Sequence, residues 1–411
     1  MTDFNCRICK ANHCEEIMSF GEVALSDAFL PDPLSFKEEK RYPLTLVICQ
    51  ECCHVQIKEI LDPKLLFSKY PWETGIPASI KQYCRDFADS SLRKLQPNQK
   101  RVLEIASNDG TMLKEFQRRG YDVLGVDPAE NIAKKANTDG IQTIDSFFNE
   151  KIAAIVLETM GEFDLIIARN VLAHVADLHG LVRGIKLLLA STGVAIIEVP
   201  QLLTMYNELQ YDQVFHEHIG YHSLDSVSRV FWSHGLKVVD AEETWIHGGS
   251  IRVYICHTGR NEASESQRVH ELLSKESQAG ILDPNCWASF GERARLQREQ
   301  LRNVLQEAVA NGSRIAGYGA SGKGQTMLQF CGLNSELVSF IADKSTYKIG
   351  KFTPGSHIPV ISPEQMRQED FDVLVLFAWN FADEILQQES SLRDKGVKFL
   401  HPLPNPRVIS C

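Results

Sequence analysis

The sequence predicts an α/β protein of three units: a small cysteine-rich N-terminal unit, a central doubly wound sheet, and a C-terminal Rossmann-like unit. Paired Cys-x-x-Cys turns in the first 53 residues mark the first unit, strands alternating with helical stretches from Arg101 to Pro200 mark the second, and a strand entering a glycine-rich turn at Gly317 marks the third. Alternation of this kind gives a parallel sheet with its ligand over the carboxyl ends of the strands. The chain has 411 residues, 44% hydrophobic and 23% charged, enough for two or three domains with substantial cores. The expected units are 1–70, 71–260 and 261–411.

Six of the eleven cysteines fall within the first 53 residues, and four of them form Cys6-x-x-Cys9 and Cys49-x-x-Cys52. Each pair presents two thiolates from one tight turn, and two such turns complete the tetrahedral four-sulfur shell of a structural zinc site. Cys14, Cys53 and His54 lie nearby, but the spacing is duplicated in the two pairs alone. A closed four-thiolate shell has no open coordination position, so this zinc is expected to hold the unit together and to take no part in chemistry.

In the central unit, Arg101–Ile105 reads as a buried strand, Ala106-Ser107-Asn108-Asp109-Gly110 as the turn into a helix carrying Met112, Leu113 and Phe116, and Tyr121–Val126 as a second strand ending in Asp127. Phe163–Ala168 followed by Arg169–Val175 supplies a later strand and helix, and Val194–Pro200 one more strand. An acidic residue at the end of the second strand suits a bidentate grip on ribose hydroxyls, and a glycine-containing first turn lets a ligand approach the backbone. The pattern resembles class I S-adenosylmethionine (SAM) methyltransferases more than dehydrogenases, since the first turn carries no G-x-G-x-x-G and Ala106 replaces the common first glycine. Glu104, Asn108, Gly110 and Asp127 are the expected cofactor contacts.

Downstream, Tyr211–Ser223 packs three histidines, a glutamate and an aromatic run into one segment. An imidazole beside a carboxylate can take a proton from a carbon acid, because its ordinary pKa of roughly 6.5 lies near working pH. His218 is the expected base and Glu217 its expected neighbour; His-x-His is also a metal-ligand or surface pattern. Further on, a charged helical stretch through Arg293–Glu299 leads to the strand Arg314–Ala316 and the turn Gly317-Tyr318-Gly319-Ala320-Ser321-Gly322-Lys323-Gly324. Exposed amides there are expected to receive a diphosphate, with Lys323 adding charge. Gly324 stands where a Walker A loop needs Ser or Thr, which argues against a nucleotide hydrolase. Tyr318, Asp343, Lys344 and the His357 turn are further expected nucleotide contacts.

Taken in order, the two cysteine pairs, the Glu-Ile-Ala-Ser-Asn-Asp-Gly turn, the Glu217-His218 segment and the Gly-Tyr-Gly-Ala turn resemble the sugar C-methyltransferases that act on nucleotide-linked 4-ketosugars. The resemblance implies a zinc-binding domain, a SAM-binding domain and a Rossmann-like domain that helps hold the nucleotide sugar. It implies that His218 removes the proton next to the ketone with Glu217 beside it, and that His174, in a Leu-x-His segment, stabilises the enolate oxygen. His247, in His-Gly-Gly-Ser-Ile-Arg, also matches, and its glycines would admit substrate closely. Phe215 and Trp72 stand where some relatives carry tyrosine, so Tyr70, Tyr221 and His222 are the expected replacement donors.

A formal net charge of -10, with no long basic run, argues against a nucleic-acid partner. The N-terminus lacks the regions of a signal peptide and no apolar run is long enough to span a bilayer, so a cytoplasmic monomer or small homo-oligomer without membrane partners is expected. An O- or N-methyltransferase and a non-catalytic SAM or nucleotide-sugar binder are the alternatives; proton exchange at carbon and turnover separate them.

Overall fold

The computed structural model describes residues 4–67, 74–75, 78–260 and 264–409. In the N-terminal unit, β1 (Cys14–Ala24), β2 (Arg41–Cys49) and β3 (Val55–Ile57) pair antiparallel, and the second cysteine turn joins β2 to β3. Leu44, Leu46 and Ile48 alternate along β2 into one core, as a half-buried strand requires. The fourth strand of this sheet comes from far along the chain: β9 (Gly220–Tyr221) pairs with β3 through Val55–Tyr221 and Gln56–Gly220. The segment carrying His218 therefore enters the cysteine unit's sheet.

The central sheet has seven strands in the order β6-β5-β4-β7-β8-β11-β10. They are β4 (Arg101–Ile105), β5 (Asp122–Asp127), β6 (Thr143–Asp145), β7 (Phe163–Arg169), β8 (Leu189–Pro200), β10 (Leu236–Thr244) and β11 (Ser250–His257). β4 to β8 run parallel, and β11 lies antiparallel between β8 and β10. The order reverses between β4 and β7, which opens a crevice at their carboxyl ends. The stretch Arg169–Val175 differs from the expected helix. It holds one 3-10 turn, Leu172–His174, after Asn170 takes a left-handed φ of 55°. The helix proper is Leu178–Leu188, started by the Asp177 side chain accepting the Gly180 N–H at 2.9 Å.

The C-terminal sheet has the order β14-β13-β12-β15-β16-β17, from β12 (Ile315–Tyr318), β13 (Ile341–Ala342), β14 (Val360–Ile361), β15 (Val373–Leu376), β16 (Lys398–His401) and β17 (Arg407–Val408). All neighbours are parallel except β16–β17. The helix Trp287–Ala310 leads into it and packs on β1, where a Cβ on Gly291 would stand 2.7 Å from the Ile17 carbonyl. One apolar core runs through Met18 and Leu46, Leu202 and Tyr211, Leu301, and Ile315 and Val375. The first sheet thus crosses the expected boundary at 70, and this core crosses those at 70 and 260. Gly291→Val should force the helix off β1, costing ~1–3 kcal/mol as overpacking does; an unchanged urea midpoint would show that the contact yields freely.

Candidate functional site

The ligating sulfurs of Cys6, Cys9, Cys49 and Cys52 lie within 4.8 Å of one another. Cys6 and Cys52 Sγ stand 3.6 Å apart, and Cys9 and Cys49 Sγ 3.5 Å apart. A tetrahedron with Zn–S bonds of ~2.3 Å has edges of about 3.8 Å, so the four sulfurs fit zinc. Arg7, inside the first turn, is buried and sends Nη1 to Gln56 Oε1 at 3.0 Å, Ile57 O at 2.7 Å and Ile219 O at 3.1 Å. This turn is therefore bonded directly to the residue after His218.

At the crevice of the central sheet the chain leaves β4 through Ala106, Asn108 and Gly110, with φ of 53°, 50° and 74°. Ala106 adopts the left-handed conformation for which glycine is usual, so its replacement of glycine leaves the turn intact. A Cβ on Gly110 would meet Ile141 at 3.0 Å. Asp127, at the end of β5, accepts Asn108 N on Oδ2 and Ala129 N on Oδ1, both at 2.9 Å. Each oxygen keeps a lone-pair site for a ribose hydroxyl. Burial raises its pKa, and the two N–H groups oppose that rise. Glu104 is buried and pairs through Oε1 with Arg169 at 3.0 Å, while Oε2 has no partner among the described residues. Burial, opposed by Arg169, pushes its carboxyl up to about 7. The residues fit the cofactor: a free carboxylate oxygen, a glycine at the turn, and an acidic group one strand over.

His218 and His174 are brought together by the backbone, since Ile219 N donates to Ala173 O at 2.7 Å. Their rings meet edge to face with centroids 4.8 Å apart, and Phe215 lies on His218 at 4.1 Å. His218 Nδ1 is 3.1 Å from Gln213 O, a carbonyl that can accept and cannot donate. The proton of the neutral ring is therefore on Nδ1, and Nε2 carries the lone pair. Burial, with the charges of His174 and Lys323, holds the imidazole well below its ordinary pKa. The Tyr221 hydroxyl donates to His218 O at 2.8 Å, so it fixes the loop and is not the free donor expected.

Glu217 does not support His218 as expected. Successive residues of this turn project apart, and its buried carboxyl lies against Asp27 and faces Lys348. Burial, then the proximity of the two acids, pushes Glu217 well above the ordinary carboxyl range, and burial raises Asp27 as well. His174 is pushed down to about 4 by burial, and its enclosed Nδ1 has no partner among the described residues. His222 is buried against His54 with ring centroids 5.1 Å apart, and shares with His218 a cavity of about 10 Å³, roughly the room one water needs. His216 turns away to Pro43 O at 3.0 Å. Tyr70 and Trp72 lie outside the described residues.

Three amides of the expected phosphate cradle are taken within the chain. Gly319 N donates to Ala342 O and Ala320 N to Asp343 Oδ2, both at 2.8 Å, and Gly324 N to Ser321 Oγ at 3.2 Å. Asp343 also faces Lys348 at 3.6 Å, and the Lys348 ammonium donates to Ala320 O at 2.9 Å. Tyr318 is buried in the C-terminal core and points its hydroxyl at Glu389, 3.5 Å away, so it cannot line a ligand. Lys344 pairs with Glu384 at 3.2 Å. His357 stacks on Phe36 at 4.0 Å and meets Glu39 at 3.1 Å. Lys323 crosses to the central unit, donating to His247 O at 2.6 Å, with Nζ 4.8 Å above the Trp379 ring. Trp379 Nε1 in turn donates to Asp212 Oδ2 at 2.6 Å. His247 sits at φ 57° in the turn before Gly248, where a Cβ would meet Trp379 at 2.6 Å.

A cleft of about 700 Å³ runs between Trp245 and Gly248 on one side and Trp379, Asn380, His401 and Arg407 on the other. Its inner end is the Gly248–Trp379 contact beside Lys323. Arg7, Gln213 and Asp212 escape the sequence reading as site residues. Asp212 and Gln213 lie inside the histidine segment, where their types carry no signal beside three imidazoles.

A family model described as "C-methyltransferase C-terminal domain" matches residues 245–404, one described as "Methyltransferase domain" matches 79–241, and one described as "Putative zinc binding domain" matches 6–67. The C-methyltransferase NovU of Streptomyces niveus is 35% identical over 406 residues, 98% of this chain and 96% of that protein. A ubiquinone biosynthesis O-methyltransferase of Rhodopseudomonas palustris (strain TIE-1) is 29% identical over 119 residues, 26% of this chain and 46% of that protein. The solved magnesium protoporphyrin IX methyltransferase of Synechocystis PCC 6803 with bound SAH is 12% identical, with 43% of this chain and 82% of that one covered and a TM-score of 0.35.

Metal analysis should find about one zinc per chain. Its removal by a chelator should lower the melting temperature and, through Arg7 and β9, disturb the His218 segment. Stoichiometric loss of metal with unchanged melting would remove the structural role.

Proposed function

The chain belongs to the C-methyltransferase family, and from that membership and the tautomer of His218 we propose that it methylates the carbon next to the ketone of a nucleotide-linked, deoxy 4-ketosugar. The observation that carries the reading is the bond from His218 Nδ1 to Gln213 O, which presents an unprotonated Nε2 to the site. A carbon next to a ketone becomes a nucleophile once its proton is removed, and a neutral imidazole is suited to that removal. SAM, when bound, supplies an electrophilic methyl group; Asp127, Glu104 and the Asn108–Gly110 turn would hold it.

His174 keeps an edge against the base, and burial drives it toward its neutral form. Glu217 acts through the loop, where its contact with Asp27 ties the histidine segment to the N-terminal unit. The cleft has the size of a small-molecule site, and Trp245 and Arg407 give it an aromatic face and a cation for the base and diphosphate of the substrate. The ketosugar then lies at the inner end, near Lys323 and His218. Phe215 packs against the base and Gly322 packs against Phe215, whose ring a Cβ there would meet at 3.4 Å.

His218→Ala should retain SAM binding while losing ~10²–10⁴-fold in turnover. Glu217→Gln, close in shape to a protonated glutamate, should lose far less. Because burial lowers the His218 pKa, the neutral ring persists as pH falls, and the acid limb of kcat/KM should lie below 6.5. Near-native turnover in a folded His218→Ala protein, or an acid limb above 6.5 that His218 controls, would overturn the assignment. Calorimetry on Asp127→Ala should show weakened SAM affinity; an unchanged value would move the ribose contact elsewhere.

A further inference from the structure

Removing a proton next to a ketone places negative charge on the ketone oxygen, and the site needs a group to meet it. His174 is neutral with its Nδ1 enclosed, the Tyr221 hydroxyl is spent on His218 O, and Phe215 has no donor. Among the described residues, Lys323 supplies a cation at this place. The helix Gly322–Phe330 packs on the turn Tyr211–Gln213, with Thr326 Oγ1 donating to Val214 O at 3.0 Å and Gly322 against the Phe215 ring that covers His218. One of its three N–H donors goes to His247 O, and Trp379 lies beneath it. Burial lowers the pKa of Lys323, and Asp212, bonded through Oδ2 to Trp379 and with a buried Oδ1 that has no partner among the described residues, opposes that shift and favours the ammonium form.

We propose that Lys323, resting on Trp379 and His247 O, is a catalytic residue whose ammonium group pairs with the enolate oxygen as the substrate forms it. This assignment rests on the ketosugar reading above. The C–H bond breaks, its proton goes to His218 Nε2, and its electron pair moves through the new carbon–carbon double bond to the oxygen beside Lys323. Lys323 transfers no proton; it is charged before and after. The charge of Lys323 also helps to keep His218 unprotonated before substrate enters. Placing the ammonium here fits its departure from the glycine-rich turn, where the Gly319, Ala320 and Gly324 amides are already bonded.

The test compares native enzyme with Lys323→Met and Lys323→Arg, using SAM and a panel of nucleoside-diphosphate 4-keto-6-deoxyhexoses, with S-adenosylhomocysteine and the matching nucleoside diphosphate as binding probes. Lys323→Met should bind both probes within about twofold of native, confirming its fold, and lose ~10²–10³-fold in kcat, the scale of one lost oxyanion donor. Exchange of the substrate's acidic carbon-bound hydrogen in heavy water, measured with S-adenosylhomocysteine bound, should fall in parallel. Lys323→Arg should recover part of both rates. Retained kcat in Lys323→Met, or a tenfold loss of nucleoside-diphosphate affinity at unchanged kcat, would overturn the assignment and return Lys323 to phosphate binding. A native enzyme that methylates and exchanges none of the panel would overturn the ketosugar reading and, with it, this role.

Discussion

The position of the histidine segment depends on one constraint: Ile219 is held by both of its backbone polar groups. Its N–H goes to Ala173 O at 2.7 Å, and its carbonyl accepts from Ile57 N at 3.1 Å and from Arg7 Nη1 at 3.1 Å. These bonds fasten the segment to the 3-10 turn of the central unit on one side and to the cysteine unit on the other. His218 precedes Ile219, and β9 follows it directly. A ring carried on a free loop would lose rotational freedom each time substrate bound. Here that freedom is removed during folding, and the Nδ1 bond to Gln213 O sets the remaining torsion.

This arrangement gives the four-sulfur site a role beyond its own turn. Zinc binding at such a site is folding free energy for the residues around it. Cys6 and Cys9 flank Arg7, whose guanidinium reaches β3 and the residue before β9 at once, and Cys49 and Cys52 bracket the turn that sets the register of β3. The metal would thus influence catalysis by fixing a backbone at a distance, in keeping with a closed shell that offers no position to substrate.

What the sequence made legible follows from the range of the forces involved. The cysteine pairs, β4, β5 and the helix through Arg293–Glu299 are local patterns, and each appears where its spacing predicts. β9 is two residues long and exists through pairing with β3, so no local pattern could mark it. Glu217 and His218 are neighbours in sequence, yet a turn clamped by the Tyr221 hydroxyl sends their side chains to different partners. The glycine-rich turn reads as a phosphate cradle until Asp343, far along the chain and brought near through the β12–β13 pairing, takes one of its amides. His174 lies where its Leu-x-His segment suggested, but on a 3-10 turn, because the chain must leave β7 across the crevice before its helix begins.

The electrostatics of the centre follow from the same packing. His174, His218 and His247 are all driven toward their neutral forms by burial, and Lys323 acts in the same direction on His218 and His247. Asp212 is pushed up to about 6 by burial while Lys323 pulls it down, so the pair shares the burden of desolvation. Removing Asp212 would leave the ammonium with Trp379 and a carbonyl dipole as its main support, and a lysine so placed tends to deprotonate. On the proposed reading substrate would reverse the balance: negative charge on a ketone oxygen would support both the ammonium and the imidazolium formed on His218. An environment that resists protonation of His218 in the free protein would then become favourable to it as charge develops on the substrate, which is the differential stabilisation that lowers a barrier.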